Sequence, residues 1–355
     1  KRQDQQSLQL AGTVNYGDSL AWDLGVDLHE FELPPQLDPL AGQLTGSLQS
    51  RGRFDGDSWA FELSQLAVQG TVAELPATLA GVLYLNQDLD LAGTELDVQM
   101  NGARLRIQQL PVVGLPQAEL IVGDLGRWLH AASGDLQAVM TWDRERGLVT
   151  IQGSSGGARW QGLQLGSLSL NGRGSLDPQL PVSLVVSGQT IQWADINLQT
   201  VTLELRGTLE QHRLHLDLKG DVASAMTLDG SLIEGKWRGQ LQPMTVSSPV
   251  GGASLEKAVA VEYLEDEGLL SVAGHCWVGT RHTDLCVDRL RLGESGELSV
   301  TLEGDLAALS ALLPEQYRAD GHSAGLVSAR WVDLELQELT AQLDIAEGVI
   351  EKALI

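Results

Sequence analysis

His212-Arg-Leu-His-Leu-Asp-Leu-Lys-Gly220 is written in a two-residue rhythm: Leu214, Leu216 and Leu218 alternate with polar residues, and a glycine closes the phrase. Successive side chains on an extended strand point to opposite faces, so such text gives one apolar face and one wet face. The phrase recurs on either side of this stretch. It reads Leu8-x-Leu10-x-Gly12, Leu40-x-Gly42-x-Leu44-x-Gly46-x-Leu48, Leu79-x-Gly81-x-Leu83-x-Leu85, Leu96-x-Val98-x-Met100-x-Gly102 and Leu168-x-Leu170-x-Gly172. Repeated over 355 residues with almost no helical period, it predicts an all-β chain whose sheet is long and one-sided. Function is then expected in the continuous apolar face, not in a catalytic cluster.

Composition narrows the classes. Hydrophobic residues make up 43% of the chain but aromatics only 5%, so the apolar stock is mainly Leu and Val. A compact sandwich of this size leans more on large rings; Leu and Val suit a shallow, uniform lining. The 40 glycines fall at strand ends and turns, where positive φ is needed. A net charge of −24 argues against nucleic acid as partner, because such proteins need a basic stripe to release counterions. It argues equally against charge-driven docking on anionic headgroups. No run approaches the roughly 18 apolar residues of a membrane span. The opening KRQDQQSLQL is polar and is no signal peptide. Both ends read as cuts within a longer pattern, so a fragment is expected.

Strands are expected at 59–63, 66–70, 79–85, 96–100, 103–107, 148–152, 163–170, 182–187, 196–206, 212–219, 225–232 and 270–278. Two short helices are expected at 124–132 and at 305–313, the second capped by Asp305 and stopped by Pro314. Strands every ten or so residues favour a solenoid or barrel over an α/β fold. A barrel fixes its strand number, and this pattern is open-ended. An elongated, curled, half-open sheet (a β-taco or open β-solenoid) fits better, with about 20 strands at ~4.8 Å spacing running for ~100 Å. No linker divides the chain, so residues 1–355 are expected to form a single continuous repetitive segment.

Several motifs have the letters of chemistry without its context. Gly321-His-Ser-Ala-Gly325 matches a nucleophile elbow, but strand text follows it and no histidine lies beyond His322. Gly230-Ser-Leu-Ile-Glu-Gly235-Lys236 matches a phosphate loop, yet Trp237 stands where a metal-holding Ser or Thr belongs. His275, Cys276, His282, Asp284 and Cys286 are a metal set by residue type, but neither cysteine sits in a zinc knuckle. Cys276 and Cys286 flank the turn GTRHT on the two arms of a hairpin. A cross-strand disulfide is feasible there if the facing pair has a suitable Cα separation, and it would imply an oxidising compartment. Two reduced, buried cysteines are the alternative. The carboxylates are scattered, and no pair stands out for acid–base work. No cofactor and no enzymatic activity are expected. The tryptophans, among them Trp22, Trp59, Trp142, Trp160, Trp193, Trp237, Trp277 and Trp331, read as core or rim anchors, with lipid contact as the functional alternative.

From about residue 200 the chain resembles the periplasmic β-rich body of the TamB family. The ordered markers are His212-Arg-Leu-His-Leu-Asp-Leu218, Leu228-Asp-Gly-Ser-Leu-x-x-Gly-Lys-Trp237-Arg-Gly239-x-Leu241, Cys276-Trp277 with Leu285-Cys286, Leu313-Pro314, and Gly325 through Trp331. Residues 1–200 share only the looser style of strands ending in Gly. The family's inner-membrane anchor, and the segment engaging its outer-membrane β-barrel partner TamA, have no counterpart in this text. The resemblance implies a bridge-like protein in the periplasm of a Gram-negative bacterium. Its hydrophobic groove would shelter phospholipid acyl chains between the inner and outer membranes. Passive conduction of phospholipid is therefore the expected function. The expected lining is Leu83, Leu85, Leu96, Val98, Leu168, Leu170, Leu184, Val186, Leu203, Leu205, Leu214, Leu216, Leu218, Leu228 and Leu232. A second expectation is a chaperone-like scaffold that offers a sheet edge to nascent outer-membrane β-barrel proteins and autotransporters. A third is a plain spacer.

Overall fold

The computed structural model describes residues 7–17, 19–33, 42–56, 58–88, 90–110, 114–175, 177, 179–208, 210–233, 235–249, 251–280, 283–305 and 317–352. These form 27 strands, and every described ladder between them is antiparallel. The chain divides into two compact units, residues 1–173 and 174–355.

The first unit opens with β1 (Ser7–Asn15), β2 (Leu20–Glu32), β3 (Gly42–Asp55), β4 (Ser58–Val72), β5 (Leu75–Asn86), β6 (Glu95–Met100), β7 (Ala103–Gln109) and β8 (Pro116–Val122). Each pairs with the next in a simple meander. It continues with β9 (Ala132–Gly134), β10 (Leu136–Asp143), β11 (Leu148–Ser155), β12 (Ala158–Trp160) and β13 (Leu163–Ser175). Here β8 pairs with β10 and β10 with β11, while the short β9 pairs with β12 and β12 with the start of β13.

The second unit runs through β14 (Val182–Trp193), β15 (Ile196–Gly207), β16 (His212–Gly220), β17 (Ala223–Ile233), β18 (Lys236–Leu241), β19 (Met244–Ser248) and β20 (Gly251–Leu255). It ends with β21 (Val259–Leu264), β22 (Leu269–Val272), β23 (His275–Gly279), β24 (Asp284–Leu292), β25 (Gly296–Asp305), β26 (Tyr317–Val332) and β27 (Glu335–Lys352). The ladder β14 to β18 passes directly to β21, and the β19–β20 hairpin pairs beside it, between β17 and β23.

The all-β expectation holds, and the differences lie at irregularities. The segment 124–132 is no helix. A single 3-10 turn, Leu125–Arg127, forms there, with Asp124 Oδ1 accepting from the Gly126 N–H at 2.9 Å. Gly126 weakens helix in so short a segment, and by Ala132 the backbone already pairs with Trp160. The helix expected at 305–313 falls outside the described residues except for Asp305, which ends β25. Strands 59–63 and 66–70 are one strand, β4, with a register shift between Leu63 and Leu66 and Gln65 at φ 50. Conversely, 270–278 is two strands, because β22 pairs with β21 while β23 pairs with β20.

Candidate functional site

Each unit has one apolar face, and register shows it row by row. In the first unit a single row of cross-strand partners reads Leu8, Leu28, Gly46, Val68, Leu79, Val98, Leu105, Leu120, Ala138 and Gly153. It crosses ten strands without a polar side chain. One residue along, on the opposite face, the row reads Gln9, Asp27, Ser47, Ala67, Ala80, Asp97, Arg106, Glu119, Val139 and Gln152. In the second unit an apolar row reads Val182, Gly207, His212, Gly230, Gly239, Val261, Val272, Leu290, Leu298, Ala329 and Leu339. Its one polar member is His212.

These faces are only partly covered. Seven apolar side chains are buried among the described residues: Leu66, Val68, Leu96, Val122, Leu255, Val259 and Leu269. In the first unit Leu66, Val68 and Leu96 form the best-packed patch, with half-buried Leu28, Leu44, Leu48, Leu79, Leu83, Val98 and Ile107 against it.

Register places the expected lining as follows. Leu83 faces Leu63 and Leu85 faces Phe61, while Leu96 and Val98 face Gly81 and Leu79. Leu170 lies on the face of Ala138, since a Cβ built on Gly153 would sit 3.7 Å from Leu170 Cβ and 3.9 Å from Ala138 Cβ; Leu168, two residues earlier, shares that face. In the second unit Leu184, Leu205, Leu214, Leu228 and Leu241 form one row, and Val186, Leu203, Leu216 and Met226 the next. Leu218 faces Val201, and Leu232 faces Trp237. Except for the buried Leu96, these side chains are half-buried.

The opposite face is electrostatically matched. A row in the second unit reads Ser231, Arg238, Glu262, Ser271, Arg291, Glu297, Arg330 and Glu338, so charges of opposite sign alternate across the strands. Arg238 meets Glu262 at 3.1 Å and Arg213 meets Asp229 at 2.6 Å. The hydrogen bond from Arg213 holds the Asp229 carboxyl below the usual carboxylate range, and Arg104 does the same for Asp97. Asp23 is lowered first by the Gln49 amide and then by Arg51.

Sequence reading missed the way tryptophans sit on the apolar face. Trp22 lies against its partner Gly52 and donates Nε1–H to Ser50 Oγ at 2.9 Å. Trp237 lies against Gly230 and Gly239 and donates to His212 Nε2 at 2.6 Å. Trp331 lies against Gly296 and donates to the Gly293 carbonyl at 3.0 Å. In each case a missing Cβ makes room for a flat indole. The signal is a Gly directly opposite Trp22 and Trp331 and two residues along from Trp237 and its partner, readable only once pairing is known.

The decoys resolve as sheet. Ser323 lies within β26, is 1% exposed, and donates its hydroxyl to the Gly304 carbonyl, its cross-strand partner, at 3.2 Å. Gly230 to Lys236 spans the β17–β18 hairpin. No group of potential metal ligands occurs among the described residues, of which His282 is not one. Cys276 and Cys286 are directly opposed on β23 and β24 and joined by a disulfide, with Cα atoms 4.0 Å apart.

A one-sided, Leu-lined repeat of this kind agrees with the family model for the TamB N-terminal domain, which matches residues 2–354. The chain belongs to the TamB N-terminal domain family. Membership therefore extends through the first 200 residues, where only a looser style was legible. The chain is 23% identical over 353 residues to the translocation and assembly module subunit TamB of Haemophilus influenzae, covering 95% of the chain but 26% of that TamB. It thus spans about a quarter of the relative's length. No solved structure matches it. Among the described residues no helix is long and apolar enough to cross a membrane.

Proposed function

We propose that the apolar faces carry phospholipid acyl chains, and that the chain is a non-enzymatic segment of a periplasmic conduit between inner and outer membranes. The observation that carries this reading is the pair of apolar rows, ten and eleven strands long and interrupted only by His212, most of whose side chains stay partly exposed. A chain this rich in Leu has ample means to bury its core, and here it keeps the apolar side accessible. A lipid leaving a bilayer gives up about 0.8 kcal/mol per methylene and recovers a similar amount on an apolar lining, so transfer costs little overall. Rows of near-identical Leu and Val make successive positions nearly equal in energy, which permits sliding without a motor. The full-length protein would be anchored in the inner membrane and would work with a TamA-like outer-membrane β-barrel, in keeping with the relative's description as a translocation and assembly module subunit.

The test is to purify the chain without detergent, extract it with organic solvent, and count phospholipids per chain by mass spectrometry. Several per chain, lost on placing aspartates on the face, supports the conduit. A folded, lipid-free chain overturns it. Loss of function on placing prolines in an edge strand, with aspartates on the face tolerated, would favour strand capture for outer-membrane protein assembly.

A further inference from the structure

Of the side chains in the two apolar rows, His212 alone is polar, and its surroundings fix its chemistry. It opens β16, with Gly207 directly opposite on β15 and Gly230 directly opposite on β17. Neither neighbour raises a side chain beside it, and the imidazole stays half-buried. Its contact comes from one strand further along, where the Trp237 ring lies over Gly230 and Gly239. The two rings stack with centroids 6.1 Å apart and planes inclined by 29°.

The hydrogen bond between them decides the tautomer. Trp237 donates its indole N–H to His212 Nε2 at 2.6 Å. An indole nitrogen can only donate, so Nε2 presents its lone pair and the proton of the neutral imidazole sits on Nδ1. Among the described residues no group accepts from that N–H. Two other histidines of the second unit engage Nδ1: His275 with the Ala273 carbonyl at 2.8 Å, and His215 with Thr227 Oγ1 at 3.1 Å. Satisfying an indole does not require a histidine, since Trp22 uses the Ser50 hydroxyl and Trp331 the Gly293 carbonyl. What His212 adds is a second ring nitrogen that donates, on a ring the first bond holds in place.

An acyl chain lying over this imidazole would strip water from Nδ1–H and return no acceptor, which is unfavourable. A carbonyl or phosphate oxygen returns one. We propose that His212 is a polar station on the lining of the second unit, where Nδ1–H donates a hydrogen bond to an ester or phosphate oxygen of a bound phospholipid. Trp237 is the positioning residue that keeps the proton on Nδ1. This rests on the phospholipid reading above and adds a fixed point to an otherwise uniform track. A neutral hydrogen bond there favours that position over its neighbours by roughly threefold to tenfold. Because the ring is already immobilised, little of this is lost in ordering it.

The test follows the ring nitrogens of His212 by NMR in the 355-residue chain labelled with nitrogen-15 histidine. The delipidated chain is loaded with phosphatidylcholine, whose headgroup has no hydrogen-bond donor, or with hexadecane, which has no oxygen, or is mixed with inorganic phosphate. Uptake of phospholipid is counted separately by mass spectrometry. The His212 signals are assigned by their loss in His212→Asn; if that variant does not fold, replacing the other histidines one at a time leaves His212 by elimination. Before loading, the proton is expected on Nδ1. Phosphatidylcholine is expected to move the Nδ1–H signal downfield and slow its exchange with water severalfold, while hexadecane leaves its shift unchanged. Trp237→Phe is expected to spread the proton over both nitrogens and weaken the response; an unchanged tautomer overturns the positioning role. A proton on Nε2 in the unloaded chain overturns the proposal, as does an unmoved Nδ1–H signal on a chain that has taken up phospholipid. The same shift with hexadecane, or with inorganic phosphate alone, also overturns it, the latter marking an anion site. A chain that takes up no phospholipid refutes the underlying reading instead.

Discussion

Replacing Leu216 and Leu228 by Asp separates a lipid-bearing face from an ordinary core. Leu216 lies between Leu203 and Met226, and Leu228 between Leu214 and Leu241. Both are half-buried, so the protein itself loses only about half the 1.5–3 kcal/mol that full burial of a Leu contributes, roughly 1 kcal/mol per site. In a closed core, an unpaired charge at the same place would cost about 3–5 kcal/mol. An acyl chain is less tolerant. A hydrated carboxylate denies dry contact to about three methylenes, or about 2.4 kcal/mol per site, which is roughly 60-fold in local affinity. The double variant should stay folded by circular dichroism while its bound phospholipid falls to near zero. Ser183→Asp, on the polar face opposite Arg206 and next to Leu184, should keep its load. A folded Leu216→Asp/Leu228→Asp chain with a full complement of lipid would refute the reasoning. So would global unfolding, which would mark the face as core.

Ser323→Ala removes one buried hydroxyl bond and should cost about 1 kcal/mol in stability without changing lipid load or transfer; a lost chemical activity would instead revive the nucleophile reading. Gly52→Ala places a methyl where the Trp22 ring lies, so the ring must move, at a cost of about 1–3 kcal/mol; an unchanged near-ultraviolet dichroism spectrum would count against the packing described. Because the Asp229 carboxyl is held low by Arg213, its contribution is present above about pH 4 and is lost as pH falls through the depressed value. Asp229→Asn should therefore lower the melting point at neutral pH and converge with the parent chain as pH falls through the depressed value; a loss that persists undiminished in acid would contradict the pairing. Finally, lipid bound to the folded face but not to the unfolded chain must stabilise it by mass action. Delipidated protein should melt lower and recover on reloading, and a melting point indifferent to lipid would deny the face that role.

Much of this was legible in the residues. Alternation at Leu214, Leu216 and Leu218 reports which side chains share a face, whatever the partner strand. What it cannot report is the partner. Trp237 reaches His212 only because β17 lies between their strands in a fixed register, and no local pattern encodes a contact 25 residues distant. The split of β4 into two expected strands has a different cause. The text Leu63-Ser-Gln-Leu66 breaks the two-residue rhythm, and a broken rhythm reads as a turn unless the backbone can absorb an extra residue.

That absorption maintains the one-sided face. A strand of β4's 15 residues with a single uncorrected slip would turn its remaining apolar side chains into water. A bulge adds a residue and restores the phase. Gln65 at φ 50 does so between Leu63 and Leu66, and Glu30 at φ 46 between Leu28 and Phe31. Each puts a non-glycine residue into a conformation that costs of order 1–3 kcal/mol. Each places the next apolar side chain back on the same face. The strain therefore coincides with the points where alternation alone would lose the apolar face, which is the arrangement that keeping one face apolar along a long strand requires.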